Sequence, residues 1–245
     1  MRLIKNYVLV FFAGIFLSSC VVTDQAQNQQ WINSGQSLLK ALGEKPLTEQ
    51  DIAKGLKEAL TISADRVVMK ISQTNGYLND QAIHIALPDE VNKVHQSLKK
   101  IGLDSYTHEL EVKMNHAAEM AAPRAKALFL RAISDMKWQD VQAIYKGRQD
   151  AATQYFKNKM TTSLHSLMRP VVQQTLAEAG VVQLYEKIIT KYHAIPFVPK
   201  VKNNLADYVV AKSIDGVFYY LAQEEAAIRK EPAKRTTELL KRMFG

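Results

Sequence analysis

The sequence contains a single cysteine, Cys20, in 245 residues. The chain can therefore form no internal disulfide, and a cysteine nucleophile or cysteine-ligated metal beyond residue 20 is excluded. It also lacks a glycine-rich phosphate loop, the GxSxG elbow of serine hydrolases and the HExxH motif of zinc peptidases. Each absence removes a class of enzyme, and we predict no catalytic residue, no cofactor and no metal.

The first twenty residues have the three-part layout of a secretory signal peptide. Arg2 and Lys5 supply positive charge, residues 7–17 are uncharged and apolar, and the segment LSSC ends at Cys20. The apolar run is too short for a membrane span, which needs about 20 helical residues. LSSC resembles the lipobox of bacterial lipoproteins. In these proteins the cysteine thiol receives a diacylglycerol, and the amine freed by cleavage receives an acyl chain such as palmitate. An uncleaved anchor and a plain secretory signal are the alternatives.

This resemblance predicts three segments. Residues 1–19 are a signal peptide, residues 20–30 a polar, glutamine-rich tether, and residues 31–245 the folded domain. Residue 21 is Val, whereas in lipoproteins of enterobacterial type an Asp there favours retention at the inner membrane. We therefore expect an anchored protein at the outer membrane, facing the periplasm.

The charge of the chain is basic but dispersed. There are 32 Lys and Arg against 24 Asp and Glu, a net charge of +8. No block of five basic residues is present, so we expect no nucleic-acid partner. The expected partner is the membrane itself through lipidated Cys20, with an envelope protein, anionic lipid or another acidic envelope polymer as further candidates. Solubility alone is the alternative reason for the charge.

Helical periodicity runs through the rest of the chain. Apolar residues at three- and four-residue steps predict a helix over 48–72 and further helices to the C-terminus, separated by proline or glycine. Asp150 is expected to cap one helix, Pro170 to interrupt it, and Pro232 to open the last. At most one tiny two-stranded element is expected, around residues 83–87. The sequence thus predicts an all-α fold, a single multi-helix bundle.

Four ordered blocks of residues stand out: Met114, Asn115, Ala117 to Glu119 and Pro123; Asp140, Gly147 and Asp150 to Phe156; Asp207 to Val209, Asp215, Gly216 and Phe218; and Glu224, Glu225, Arg229, Pro232, Arg235 and Gly245. These blocks resemble the DUF4197 family of bacterial exported and lipoprotein domains. The resemblance runs from about Leu47 to Gly245. It implies a helical exported domain and no established activity, cofactor or catalytic residue.

The candidate site is a set of polar residues within these blocks: Asn115, Glu119, Asp140, Asp150, Glu225, Arg229 and Arg235. Asn115 and Glu119 lie among small residues on a helix. We expect them to be buried and to bond the backbone freed around Pro123, with a polar patch in a ligand cleft as the alternative. Glu225 and Arg229 form an i,i+4 pair that we expect to clamp the last helix through Arg235.

One stripe of side chains has the residue types of a metal site. His108, Glu111, Asn115 and Glu119 follow at three- and four-residue steps, with His116 beside them. One helix alone does not complete a coordination shell, and no second ligand motif is present. A solvated helical face is therefore expected in place of a metal site.

Three functions remain open from the sequence. The first is a non-enzymatic, membrane-anchored envelope lipoprotein with a binding or scaffolding domain. The second is a carrier of an apolar ligand such as a lipid between helices, and the third an uncharacterised enzyme. The last helix is expected to be part of the core, packed against the long helix that begins at Leu205.

Overall fold

The computed structural model describes residues 46–198 and 204–245, and helices account for most of them. In chain order they are α1 (Glu49–Ile71), α2 (Asp89–Lys99), α3 (Ser105–Ala121), α4 (Pro123–Ser134), α5 (Trp138–Tyr145), α6 (Ala151–Glu178), α7 (Val181–His193), α8 (Leu205–Lys230) and α9 (Glu238–Phe244). The described residues contain no strand, which confirms the all-α bundle. The predicted signal peptide, Cys20 and the tether lie outside the described residues.

Helix ends follow the local signals in the sequence. At the start of α1 the Asp51 N–H donates to Thr48 Oγ1 over 3.1 Å, and the Thr48 N–H donates back to Asp51 Oδ2 over 3.0 Å. At the end of α2 Gly102 has φ of 71°, a left-handed conformation that favours glycine, and the Leu103 N–H donates to the Leu98 carbonyl. Each of these ends depends on residues only three to five positions apart in the sequence.

Two proline predictions are wrong. Helix α6 continues through Pro170, which lies on its exposed face. The carbonyl that loses its donor belongs to exposed Ser166, where water can satisfy it. Pro232 opens only a 3₁₀ turn, Pro232–Lys234, and α9 begins at Glu238, where the Leu240 N–H donates to Thr237 Oγ1.

The core is a continuous apolar cluster between the two longest helices, α6 and α8, and the shorter helices around them. At its centre, Phe129 of α4 meets Phe156 and Phe218 edge to face, with ring centroids 5.5 and 6.1 Å apart. Residues from Leu47 to Gly245 form one compact unit. None of the helices described is both long and apolar enough to cross a bilayer.

Helix α9 belongs to this core, with Leu240 and Met243 buried. Its main partner is α1 and not α8, which corrects the expected pairing. The reason is Gly55 of α1, since a Cβ there would collide with the Met243 sulfur and with Leu239. Helix α8 contributes Ile228 to the same contact. A glycine on α1 therefore creates the space that seats the C-terminal helix.

Candidate functional site

Asn115 of α3 holds the loop between α1 and α2, here called the α1–α2 loop (residues 72–88). The Ile85 N–H donates to Asn115 Oδ1, and Asn115 Nδ2 donates to the Ile85 carbonyl, both over 2.9 Å. The amide thereby makes the two hydrogen bonds that a neighbouring strand would make. Residues 83–87 do not form the expected two-stranded element, because the Asn115 side chain takes the place of the second strand.

Glu119, one turn further along α3, holds the first part of the same loop. Its buried carboxylate accepts from the N–H groups of Asn75, Tyr77 and Leu78 at 3.1, 3.1 and 3.3 Å, and His116 Nδ1 lies 2.9 Å away. Asn75 has φ of 64°, so the loop makes a tight left-handed turn here. Asn115 and Glu119 are thus buried as expected, but they bond the α1–α2 loop and not the backbone around Pro123.

The histidine and carboxylate stripe of α3 is not the expected solvated face. Glu111 faces the α1–α2 loop, where its Oε1 lies 2.6 Å from His84 Nε2. Asn115 and Glu119 face the same loop, and only His108 of this stripe is fully exposed. In the part of the chain that the structure describes, no three potential metal-ligating side chains come together.

Tyr77 anchors the α1–α2 loop to α8. Its hydroxyl donates to the Ser213 carbonyl over 2.7 Å, and its ring lies so close to Gly216 that a Cβ there would approach Cε1 to 2.7 Å. Burial raises the pKa of Tyr77, and the charges of Glu119 and Asp215 raise it further. The Asp215-Gly216 block of the sequence therefore marks a close helix–loop contact.

A second, half-buried group that the sequence did not reveal joins the loop to α1 and α8. Tyr220 donates to Asp80 Oδ2, and Lys70 Nζ lies 3.7 Å from that oxygen and 3.7 Å from the Tyr220 ring centroid. Burial raises the pKa of Asp80, but hydrogen bonds from Tyr220 and the Ala82 N–H outweigh it and hold that pKa below its usual value. Tyr220 is 140 residues from Asp80 in the sequence, so no sequence spacing indicated that it joins Asp80 and Lys70.

Glu225 and Arg229 of α8 join the facing ends of two other helices. The Glu225 carboxylate accepts from the Ala152 and Thr153 N–H groups at the start of α6, both over 2.9 Å, and from Thr153 Oγ1 over 3.0 Å. Arg229 donates to Glu225 over 3.1 Å and to the Ile144 carbonyl, at the end of α5, over 2.8 Å. The negative charge of Glu225 thus lies at the N-terminus of α6, and the positive charge of Arg229 lies at the C-terminus of α5. Both placements are favourable for the helix dipoles.

Arg235 lies beside this pair but does not connect it to α9. Its guanidinium donates to the carbonyls of Ile228 and Arg229, over 3.1 and 3.0 Å, and satisfies the end of α8. The expected clamp through Arg235 is therefore wrong in its route, because the pair contacts the last helix through Arg229, whose guanidinium lies 5.7 Å from the Phe244 ring centroid. The pair holds α5 and α6, and Arg235 closes α8.

Asp140 and Asp150 lie near the surface, away from these contacts. The Lys137 N–H donates to Asp140 Oδ2 over 3.0 Å, so Asp140 caps the start of α5. Asp150 makes no capping bond to α6, because Glu225 occupies that position. The polar residues predicted as a candidate site therefore do not converge on one site. They hold the α1–α2 loop (Asn115 and Glu119), the facing ends of α5 and α6 (Glu225 and Arg229), the end of α8 (Arg235) and the start of α5 (Asp140).

A basic face formed by α4, α5 and α6 is the feature that sequence reasoning missed. Residues 124–177 contain nine Lys and Arg, three Asp and no Glu, a net charge of +6. This segment, called the α4–α6 face, holds a groove of about 550 Å³. The groove is lined by cationic Arg131, Lys137 and Lys159, by the carboxylates of Asp135 and Asp140, and by apolar Leu128, Ala132 and Met160. Its charged side chains carry a net +1 beside apolar surface, the sign of charge that suits an anionic amphiphile.

A second surface groove, of about 640 Å³, lies between the end of α6, α7 and the start of α8. Its walls include the apolar side chains of Leu176, Val182 and Leu205 and the ring of Tyr185. The Tyr185 hydroxyl is buried and has no hydrogen-bond partner among the described residues. The lipid-carrier alternative depends on this groove.

Comparison with known proteins identifies one family. The family model described as a protein of unknown function, DUF4197, matches residues 46–245. No curated protein and no solved structure matches the chain.

Proposed function

We propose a role for this chain, which belongs to the DUF4197 family, as a membrane-anchored envelope lipoprotein whose helical domain is a binding or scaffolding module. The family carries no known activity, so the proposal depends on the residues themselves. Two features support it, the LSSC segment at the only cysteine and the use made of the buried polar groups.

The observation that carries the binding-module part is the structural engagement of the buried polar groups. Glu119 and Glu225, both at least nine-tenths buried, each accept from at least two backbone N–H groups. The Asn115 side-chain amide hydrogen-bonds to the Ile85 backbone and donates to the Glu111 carbonyl. A catalytic acid or base must instead face a substrate with its proton site free. These groups make a rigid domain, which favours presentation of a surface over catalysis.

The anchoring part depends on Cys20. Lipid attachment at a cysteine places about two or more acyl chains in the bilayer, enough for stable anchoring. Pro46 follows Cys20 by 26 positions. Even a fully extended chain of this length spans only about 90 Å. The domain is thereby kept close to the membrane surface.

The test is metabolic labelling with an alkyne-bearing palmitate in a bacterial host. We expect the wild-type protein and Ser19→Ala to incorporate label and to sediment with membranes, because Ala also suits the position before the cysteine. Cys20→Ala should lose the label, because its side chain has no thiol to acylate. Labelled, membrane-bound Cys20→Ala would contradict the proposal.

A further inference from the structure

The positive charge of the domain is not evenly distributed. Arg2 and Lys5 leave with the predicted signal peptide, so the chain from Cys20 onward carries +6. The α4–α6 face alone carries +6, so all other residues from Cys20 onward balance to zero. The net charge of the domain therefore equals that of residues 124–177, a segment that ends one residue before Glu178 at the end of α6.

Five of the nine basic side chains are exposed and form no ion pair among the described residues, whereas Lys126 pairs with Asp65 at 3.0 Å and Arg169 with Asp207 at 2.8 Å. Asp135 and Asp150 pair only with neighbouring arginines on the same face, at 3.8 and 3.5 Å, and Asp140 accepts from a backbone N–H. Exposed basic side chains that form no ion pair among the described residues remain in every part of the face: Arg124, Lys137, Lys146, Lys157 and Lys159. These side chains are available to an anionic partner.

The groove on this face adds apolar surface to the charge. Apolar Leu128 and Met160 line the groove together with basic Arg131, Lys137 and Lys159. Leu167, one helical turn beyond the groove residue Ser163, is 40% exposed. Cationic side chains around apolar ones are the combination that binds the interfacial region of a membrane.

We infer that the α4–α6 face is the surface by which the domain lies against an anionic phospholipid bilayer, with lipid phosphates at the rim of the groove. The inference rests on the proposed function, because the anchor brings the domain to the membrane. Each Lys or Arg near the surface of an anionic leaflet raises the partition of the protein onto the membrane about fivefold. This attraction falls off within a Debye length, about 10 Å at 0.1 M salt.

The experiment uses the chain from residue 20 onward with Cys20→Ala, so that no lipid anchor contributes. Sedimentation with vesicles of phosphatidylglycerol and phosphatidylcholine is compared with vesicles of phosphatidylcholine alone. The face variant is Arg131→Gln with Lys137→Gln and Lys159→Gln, the three basic residues that line the groove. The matched control is Lys93→Gln with Lys99→Gln and Lys100→Gln, exposed residues of α2 and its C-terminal end that produce the same change in net charge.

We expect binding to the anionic vesicles only, weakened by salt. The face variant should lose about a hundredfold in partition, at fivefold per charge over three charges, and the control less than about fivefold. Circular dichroism should show unchanged melting in both variants, since all six side chains are exposed. Equal losses in the two variants, or equal binding to both kinds of vesicle, would overturn the inference. Because this protein has no anchor, failure here leaves the labelling test at Cys20 unaffected.

Discussion

Replacement of Glu225 by alanine is the perturbation with the largest expected effect on the fold. Glu225 is 7% exposed and accepts from three donors at the start of α6 as well as from Arg229. Glu225→Ala removes all of these acceptors and leaves the Arg229 guanidinium, itself largely buried, without its carboxylate. The variant therefore measures how much the free energy of unfolding falls when a charge and backbone N–H groups inside the bundle lose their partner.

The magnitude follows from this geometry. Removing one partner of a buried ion pair typically costs about 3–5 kcal/mol, and a domain is typically stable by about 5–15 kcal/mol. We expect Glu225→Ala to lower the free energy of unfolding by about 3–5 kcal/mol. Urea unfolding followed by circular dichroism at 222 nm measures this change from the midpoint at constant slope. Glu238→Ala is the control, because Glu238 is 84% exposed and its pair with Lys241 contributes about 1 kcal/mol at most.

A double variant distinguishes the effect of losing the ion pair from the effect of losing side-chain volume. Glu225→Leu with Arg229→Met removes both charges together and retains apolar volume, so it should be less destabilised than Glu225→Leu alone. A loss below about 1 kcal/mol in Glu225→Ala would refute the reasoning, because it would mean that the contacts at the start of α6 are dispensable.

Three further predictions concern α9, α8 and the α1–α2 loop. Deleting residues 238–245 should lower the melting temperature by at least about 6 °C, because burial of Leu240 and Met243 contributes about 1.5–3 kcal/mol each; a shift of one or two degrees would make α9 a dispensable appendage. Gly216→Ala should cost about 1–3 kcal/mol in urea unfolding, since its Cβ would collide with the ring of the loop's buried tyrosine, and an unchanged midpoint would contradict that contact. Asp80 has a lowered pKa, so its stabilising effect is present above the unfolded value near 3.8 and is lost as pH falls through the folded value. The stability difference between wild type and Asp80→Asn should accordingly shrink between pH 6 and pH 2.5, and a difference independent of pH would argue against the ionised contact.

The parts of the fold that sequence predicts well are those decided over a single helical turn. Thr48 with Asp51 caps the start of α1, Gly102 follows the end of α2, and Asn204 caps the start of α8, where it accepts from the Asp207 N–H. The predicted interruption at Pro170 was wrong because the helix-breaking tendency of proline is local, whereas residues of α6 on both sides of Pro170 pack into the core.

The destinations of the polar side chains could not be predicted because their partners are remote in sequence. Asn115 bonds Ile85, 30 residues away, and Glu225 bonds Ala152, 73 residues away. Helical periodicity indicated that such residues face inward, but it contains no information about which loop or helix end they meet. Burial of Asn115 and Glu119 was thus predictable, and the α1–α2 loop as their target was not.

The α4–α6 face shows a different reason for a missed feature. Its basic residues are separated along the chain by apolar ones, so no block of charge stands out. A running sum of charge along the sequence finds the excess over 124–177, where Asp is rare and Glu absent. Only the packed helices show that three of these exposed side chains, Arg131, Lys137 and Lys159, line one groove.

Mass spectrometry of the N-terminal peptide tests the central claim most directly. The protein is purified from bacterial membranes, digested, and its first peptide is fragmented. Our account predicts a chain that begins at Cys20, with a diacylglycerol on the sulfur and an acyl chain on the amine. A chain that retains residues 1–19, begins at another residue, or carries an unmodified Cys20 would contradict it.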